Sequence, residues 1–465
     1  MKPPIAGDCR DANGYSRRGA RTAMAHPALD AVHPVASEQS FENALEKARA
    51  GDRLDTDDAL ELLTTGTDRP GVDPVRFEQV LAVADARRAE VVGEDVTFVA
   101  NINNNVTTAC TVGCLFCNFK DPAHEFESGY TGESAGFTKT PAESAAIVAD
   151  AVDRGVYEVT SVSGLHPAFA LDAEHREILE AQGEAPGVTY RPPAAYATDP
   201  GTYTEQLAAM AASGAHVHSM TPEEAAHARR GTDWSYEEVY GRLREAGLDT
   251  VPGTAAEILV DEVRAVICPG KIDSAEWVRA MEGAMRAGLH TTATIMYGHV
   301  ENERHRAMHL GVIRDLQDRF GMITEFVPLS FVHQQTPLFE RGMVDGGAAP
   351  AEDALMIAVS RLFLDNIPNI QSSWVKYGDE RALQLLSCGA NDLMGTVLSE
   401  EITKRAGGAH GEFRSFDRYV EMIRAVGRRP VERSTDYRLR RPITATEGPY
   451  GPTLGPRADG TPLLS

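Results

Sequence analysis

The sequence is short of several things, and each shortage excludes a class of protein. No run of about 18 uninterrupted apolar residues occurs, so no membrane-spanning helix is expected. The opening stretch from Met1 to Arg21 is polar and lacks the apolar segment of a secretory signal, and a cytoplasmic protein is expected. Lysine is scarce, arginine supplies most of the positive charge, and the formal net charge is −23. A field of that sign repels phosphate backbones and acidic leaflets, so neither nucleic acid nor a membrane is expected as a partner. Acidic clusters such as Asp55-Thr-Asp-Asp58 fit a solvated, halophilic surface. Only six cysteines occur: Cys110, Cys114 and Cys117 stand together, whereas Cys9, Cys268 and Cys388 are scattered. That distribution suits a metal site better than a disulfide framework.

What the chain does have is core. With 465 residues, 42% of them hydrophobic, it can fill one large barrel or two ordinary domains. Residues 1–37 show no sustained period and are expected as a loose N-terminal tail. Residues 38–92 carry helical spacing, as in Phe41, Ala44, Leu45, Ala48 and Phe77, Val80, Leu81, Ala84, with Asp57 and Thr67 as helix starts. They are expected as a helical N-terminal layer. From 93 to 428 short β-rich runs alternate with long helical ones, an α/β pattern of about eight parallel units. The expected strands are 98–103, 157–162, 216–220, 249–252, 291–297, 323–329, 369–374 and a weak one near Ala390, and a (β/α) barrel of TIM type follows, with a doubly wound open sheet as the other architecture. Residues 429–465, rich in Arg, Pro, Gly and Thr, read as an extended C-terminal tail.

The chemistry sits after the first barrel strand. Cys110-Thr-Val-Gly-Cys114-Leu-Phe-Cys117 has C-x3-C-x2-C spacing in one tight loop. Three thiolates there can bind three irons of a 4Fe-4S cubane and leave the fourth open for the amino and carboxylate groups of S-adenosylmethionine (SAM). A zinc knuckle is the competing reading, but no second C-x2-C follows, and His305 and His309 lie far downstream within an expected helix. Cys268 and Cys388 read as small core residues.

Longer segments carry a resemblance. Leu248 to Ile258, Ile267-Cys-Pro, Thr291 to His299, Glu325 to His333, Trp374-Val-Lys376 and Gly389 to Leu393 closely resemble the second subunit of archaeal FO synthase, a radical SAM enzyme of coenzyme F420 biosynthesis. The resemblance spans roughly Phe98 to Ala425. It implies a 4Fe-4S cluster and SAM as cofactors, and L-tyrosine and 5-amino-6-(D-ribitylamino)uracil as substrates. The Cα–Cβ bond of tyrosine would break, and the 4-hydroxybenzyl unit would join C5 of the uracil. The remaining products would be 2-iminoacetate, methionine and 5'-deoxyadenosine. A second radical SAM subunit, FO synthase subunit 1, would close the deazaflavin ring, and a low-potential donor would supply electrons.

Residue roles follow from position at strand ends, where barrel active sites are built. Phe116 matches the aromatic near adenine or simply packs under the loop. Ser163 and Gly164 would approach the methionyl amine or form a tight turn. Glu257 would hold the SAM ribose or an amine, or serve as a helix first-turn acid. Tyr297, His299, Ser330, His333 and Lys376 are candidates for gripping tyrosine and the uracil, with His166 beside them; each can equally be a hydrogen-bonded structural group. Asn391 and Asp392 would bind ribityl hydroxyls or cap a helix. Two related radical SAM activities remain open, an aminofutalosine synthase of menaquinone synthesis and a tyrosine lyase of thiamine synthesis, as does a non-catalytic iron-sulfur or zinc scaffold.

Overall fold

The structure, a computed structural model, describes residues 38–65, 73–120, 136–183, 194–397, 402–410 and 413–443. The expected loose tail and Thr67 lie outside them. Among the described residues the strands are β1 (Asp95–Val99), β2 (Asn101–Asn103), β3 (Glu158–Ser161), β4 (His216–Ser219), β5 (Thr250–Val251), β6 (His290–Tyr297), β7 (Ile323–Ser330), β8 (Asp392–Gly395), β9 (Arg429–Arg433) and β10 (Arg440–Pro442). Six of them form a parallel sheet in the order β2-β3-β4-β5-β6-β7, and a second sheet runs β10-β9-β1-β8.

The two sheets belong to one ring. β1 and β2 are a single strand bent at Ala100, and the first half pairs with β8 while the second pairs with β3. On the far side, the bridges Phe326↔Ile370 and Gln371↔Asp392 connect β7 to β8. The ring is therefore a parallel barrel rather than an open doubly wound sheet. The strand expected over 369–374 shrinks to these two bridge residues, because Trp374 already opens the helix Trp374–Leu385. Helices Pro141–Asp153, Tyr203–Ala211, Tyr236–Glu245, Ser274–Arg286, Glu303–Phe320 and Pro350–Phe363 fall in the expected intervals.

Before the barrel, the helices Glu38–Ala50, Thr56–Leu63 and Pro74–Val92 pack on one another and on helices 303–320 and 350–363. Every apolar residue named above for this layer, from Phe41 to Ala84, is buried. The second of these helices starts one residue before Asp57, with Asp55 and Asp58 forming a capping box.

The largest departure lies at the C-terminal end. Residues 429–433, expected within an extended tail, form β9, which runs parallel to β1 with Asp95 opposite Arg429 and Phe98 opposite Glu432. The reason is electrostatic and invisible to a hydrophobic pattern. Arg433 is buried, and its Nε donates to Asp392 Oδ2 at 2.7 Å while Nη2 donates to Glu325 Oε2 at 3.0 Å. Tyr437 donates to Glu325 Oε2 at 2.5 Å, Thr97 to Asp392 Oδ2 at 2.6 Å, and Thr435 to Glu158. Asp392 and Glu158 open their strands, so the network seals the floor of the barrel.

Removing one partner from a buried charge pair strands the others at a cost of about 3–5 kcal/mol. Arg433→Met should lower the unfolding free energy by an amount in that range, read from urea unfolding followed by far-UV circular dichroism.

Candidate active site

The opposite end of the barrel holds a cavity with an empty volume of about 1210 Å³. Its wall collects Cys110, Cys114, Phe116 and Cys117 from the loop after β2, Ser163 and Gly164 after β3, Thr221, Glu223 and Glu224 after β4, and Glu257 after β5. Thr294 and Met296 of β6, Ser330 of β7, Lys271 and Lys376 also line it, as do Asn118, Lys120 and Thr254. Strand ends in a parallel barrel share one face, which is why residues so distant in sequence meet here.

The cysteine loop is stitched to its neighbours through the backbone. Gly164 N–H donates to Thr107 O at 2.8 Å, Thr111 N–H to Leu165 O at 3.1 Å, Leu115 N–H to Ile267 O at 2.8 Å, and Leu338 N–H to Leu115 O at 3.0 Å. Ser163 Oγ accepts from Val106 N–H at 2.7 Å, so that hydroxyl already holds the loop. Gly164 is required by contact: a Cβ there would lie 2.2 Å from the Ala109 carbonyl oxygen. Cys114 is buried, Cys110 and Cys117 are half-buried, and burial pushes the Cys114 thiol well above its ordinary value. A thiolate at that position needs a cation beside it.

Across the cavity, Lys271 Nζ pairs with Glu257 Oε1 at 2.6 Å and lies 5.3 Å from the centre of the Phe116 ring. Glu257 and Ala255 both adopt left-handed backbone, φ +46° and +66°, a strained conformation for residues with a Cβ. Met296 N–H donates to Glu257 O at 2.9 Å and pins that turn in place. Glu224 Oε2 accepts from Thr221 N–H at 2.9 Å and Oε1 from Ser163 N–H at 3.3 Å, which ties the β3 and β4 loops together.

Of the residues expected at the site, Cys110, Cys114, Cys117, Phe116, Ser163, Gly164, Glu257, Ser330 and Lys376 line this cavity. Four do not. Tyr297 is buried outside the wall and donates to Asp353 Oδ1 at 2.7 Å. Thr294 and Met296 face the cavity, so strand alternation turns Tyr297 outward to the helix layer. His299 is enclosed against Glu301, with Nε2 3.1 Å from Met296 O. His333 stacks edge-on with Phe339, centroids 4.8 Å apart. His166 accepts from Ala168 N–H at 3.1 Å, and burial depresses its pKa to about 4. Asn391 and Asp392 belong to the floor: Asn391 Oδ1 accepts from Arg361 Nη2 at 2.6 Å and Asp392 from Arg433, so neither can meet ribityl hydroxyls in the cavity. Cys268 and Cys388 are buried, and His305 and His309 sit on one helix, bonded to Glu262 and Leu259.

Sequence reasoning missed Glu223, Glu224 and Lys271. Thr221-Pro-Glu-Glu224 directly follows β4, the same signal that marked the other loops. Lys271 follows Pro269-Gly270 beyond a short helix, with no strand end to mark it.

A family model described as the radical SAM superfamily matches residues 104–313, and one described as the CofH/MqnC C-terminal region matches residues 320–446. A 5-amino-6-(D-ribitylamino)uracil–L-tyrosine 4-hydroxyphenyl transferase from Haloarcula marismortui is 69% identical over 432 residues, covering 93% of this chain and 96% of the relative. The transferase of that name from Halobacterium salinarum is 67% identical over 438 residues, covering 94% and 96%. The chain belongs to this transferase family. As a radical SAM enzyme of that family, it uses a 4Fe-4S cluster and SAM. Among solved structures, the FeFe-hydrogenase maturase HydG aligns with a TM-score of 0.59 at 15% identity, covering 87% of this chain and 78% of that one. Methylornithine synthase PylB gives 0.58 at 16%, covering 83% and 97%. At such identities the likeness speaks for the transferase's barrel fold alone. Among the described residues, no helix is long and apolar enough to cross a membrane.

Two outcomes are expected. Gly164→Ala should weaken SAM binding at least tenfold in a titration, with the circular dichroism spectrum unchanged, because the loop backbone must move to admit the methyl. Burial also raises the Glu224 carboxyl from 4.5 to about 7. Its stabilising contribution is fully present below pH 4.5 and is lost as pH rises through 7. Glu224→Gln should therefore remove roughly 3 kcal/mol of pH dependence across that window, measured by urea unfolding at a series of pH values.

Proposed function

We propose that this chain cleaves the Cα–Cβ bond of L-tyrosine and transfers the 4-hydroxybenzyl group to C5 of 5-amino-6-(D-ribitylamino)uracil. 2-Iminoacetate, methionine and 5'-deoxyadenosine are the other products, and the pathway is FO and coenzyme F420 biosynthesis. The observation that carries this reading is the identity of 69% to a transferase of that name along nearly the whole chain, joined to a cavity that gathers the cysteine triplet and the polar strand ends.

The residues present fit the cluster. Cys110, Cys114 and Cys117 line one cavity. Three thiols from one C-x3-C-x2-C loop can ligate three irons of a 4Fe-4S cluster and leave the fourth open. These three cysteines would hold the cluster. When bound, the cluster and SAM supply a 5'-deoxyadenosyl radical at the cavity.

The chain's own groups bind, orient and exclude water. Phe116 offers an aromatic face to the adenine. Glu257, aimed by its strained turn and steadied by Lys271, offers a carboxylate to ribose hydroxyls or an amine. Glu224 fixes the Ser163-Gly164 backbone against which the methionyl group would lie. Lys376, whose Nζ donates to Thr403 Oγ1 at 2.7 Å, places a cation on the wall opposite and can receive a substrate carboxylate. Apolar side chains such as Val112, Leu165 and Phe331 complete the lining, which shields a reactive radical from solvent. A second radical SAM subunit that closes the deazaflavin ring, and a low-potential electron donor, are the partners this reaction requires. With no described membrane-crossing helix and an acidic surface, the cytoplasm is the fitting compartment.

Anaerobically reconstituted protein given L-tyrosine, the ribitylaminouracil, SAM and dithionite should yield the coupled product by mass spectrometry. Turnover of a different substrate pair with no coupled product would reject this assignment in favour of an aminofutalosine synthase or a tyrosine lyase. Cys110→Ser, Cys114→Ser or Cys117→Ser should each reduce iron per chain and bring 5'-deoxyadenosine below detection, as measured by iron analysis and chromatography.

A further inference from the structure

The cavity wall carries a buried ion pair whose charges the fold does not need as a clamp. Glu257 stands on the strained turn after β5, and Lys271 on the turn after the helix Asp261–Ile267. Their side chains are 12% and 11% exposed, and Lys271 Nζ lies 2.6 Å from Glu257 Oε1. Arg264 already ties the two turns together. Its guanidinium is buried, with Nη1 donating to Ala256 O at 2.6 Å and Nη2 and Nε donating to Ile272 O at 2.6 and 3.1 Å. A further ion pair across a joint already closed adds little stability, because desolvation of both ions offsets their attraction.

What lies beside the pair gives its charges another use. The turn that bears Lys271 rests against the cysteine loop: Leu115 N–H donates to Ile267 O at 2.8 Å, and a Cβ on Gly270 would stand 3.8 Å from Gly113 N. Lys271 N–H closes that turn on Cys268 O at 3.0 Å. The ammonium reaches back over the loop, 5.3 Å from the centre of the ring of Phe116, the residue directly before Cys117. Burial works against its charge, but Glu257 holds its pKa above the ordinary lysine value, so Lys271 remains a cation. Two further charged groups stand close by, Arg264 and Glu223, whose Oε2 accepts from Ile272 N–H at 3.3 Å.

We infer that Lys271 is a counter-charge that raises the reduction potential of the 4Fe-4S cluster, with Glu257 opposing it. The inference rests on the reading that Cys110, Cys114 and Cys117 hold that cluster. Three thiolates make it anionic, and uptake of an electron makes it more so. A cation buried beside it favours the reduced form over the oxidised one, and surroundings of low dielectric leave the effect largely unscreened. Lys271 thus eases the electron uptake on which SAM cleavage depends. It acts through the cluster, as a tuning residue, and need touch neither substrate.

The test poises the reconstituted full-length chain at a series of potentials with dithionite and mediators, without SAM, and counts the reduced cluster by electron paramagnetic resonance. At the wild-type midpoint, the ratio of reduced to oxidised cluster should be about tenfold lower in Lys271→Met, a shift of about 59 mV to lower potential. Glu257→Gln should move the ratio by a similar factor the other way. Lys271→Arg, which keeps the charge, should stay within about twofold of wild type, and the double variant Lys271→Met with Glu257→Gln should fall between the single ones. Iron per chain should change by less than about twofold throughout, which separates a shifted potential from a lost cluster. A midpoint unmoved in Lys271→Met, or one that moves the same way in Lys271→Met and Glu257→Gln, would overturn the inference. Where Lys271→Met loads too little cluster to titrate, the sign of the Glu257→Gln shift decides. Cluster retained in full by the three Cys→Ser variants would instead reject the assignment of those cysteines, and the tuning role with it.

Discussion

One buried guanidinium holds the barrel in register. Arg433 reaches Asp392 at the start of β8 and Glu325 in β7, while Thr97 of β1 adds its hydroxyl to Asp392. Between β7 and β8 the sheet is reduced to single bridges at Ile370 and Gln371, so no full strand pairs there. The side-chain network spans that gap from below. With the floor fixed, the opposite strand ends are fixed too, and the cavity they surround keeps its shape.

The barrel is therefore polar at both ends for different reasons. At the floor, carboxylates are matched by Arg433 and by the hydroxyls of Thr97, Thr435 and Tyr437, and the network closes on itself. At the mouth, Glu223, Glu224, Glu257, Lys271 and Lys376 meet across a largely apolar lining and face space that ligands can enter. Between the two, residues such as Ala293, Ile295 and Phe326 fill the middle of the strands. At the mouth Ala255 and Glu257 adopt left-handed backbone and Gly164 admits the carbonyl of Ala109, while at the floor Tyr437 is left-handed too, with φ +60°.

Histidines and tyrosines at strand ends illustrate how alternation sorts chemistry from packing. Thr294 and Met296 look into the cavity, and Tyr297 beside them looks out. The outward side is a packed polar cluster, in which Tyr297 donates to Asp353 Oδ1 at 2.7 Å and stands 2.9 Å from Tyr377 OH. His166 and His309, both buried, and the half-buried His227 all have depressed pKa values from desolvation, as befits neutral groups that knit loops together.

Much of this was written locally in the chain. The C-x3-C-x2-C loop, the alternation of strand and helix, and the apolar faces of the N-terminal layer are short-range patterns, and short-range patterns are what a sequence exposes. The strand-end rule also located Ser163, Gly164, Glu257, Ser330 and Lys376, because a parallel barrel gathers its C-terminal strand ends on one face whatever their separation. Tertiary structure alone decided the rest. β9 has no apolar alternation and gains its place through charges that lie 41 and 108 residues away at Asp392 and Glu325. Tyr297, His299 and Asn391 look like ligands in a linear motif, yet one-residue parity and distance from the mouth assign them to packing and the floor. Lys271 reaches the cavity only because its turn folds back over Phe116. Side-chain direction and long-range charge pairing depend on where distant segments arrive, and only the closed barrel fixes that.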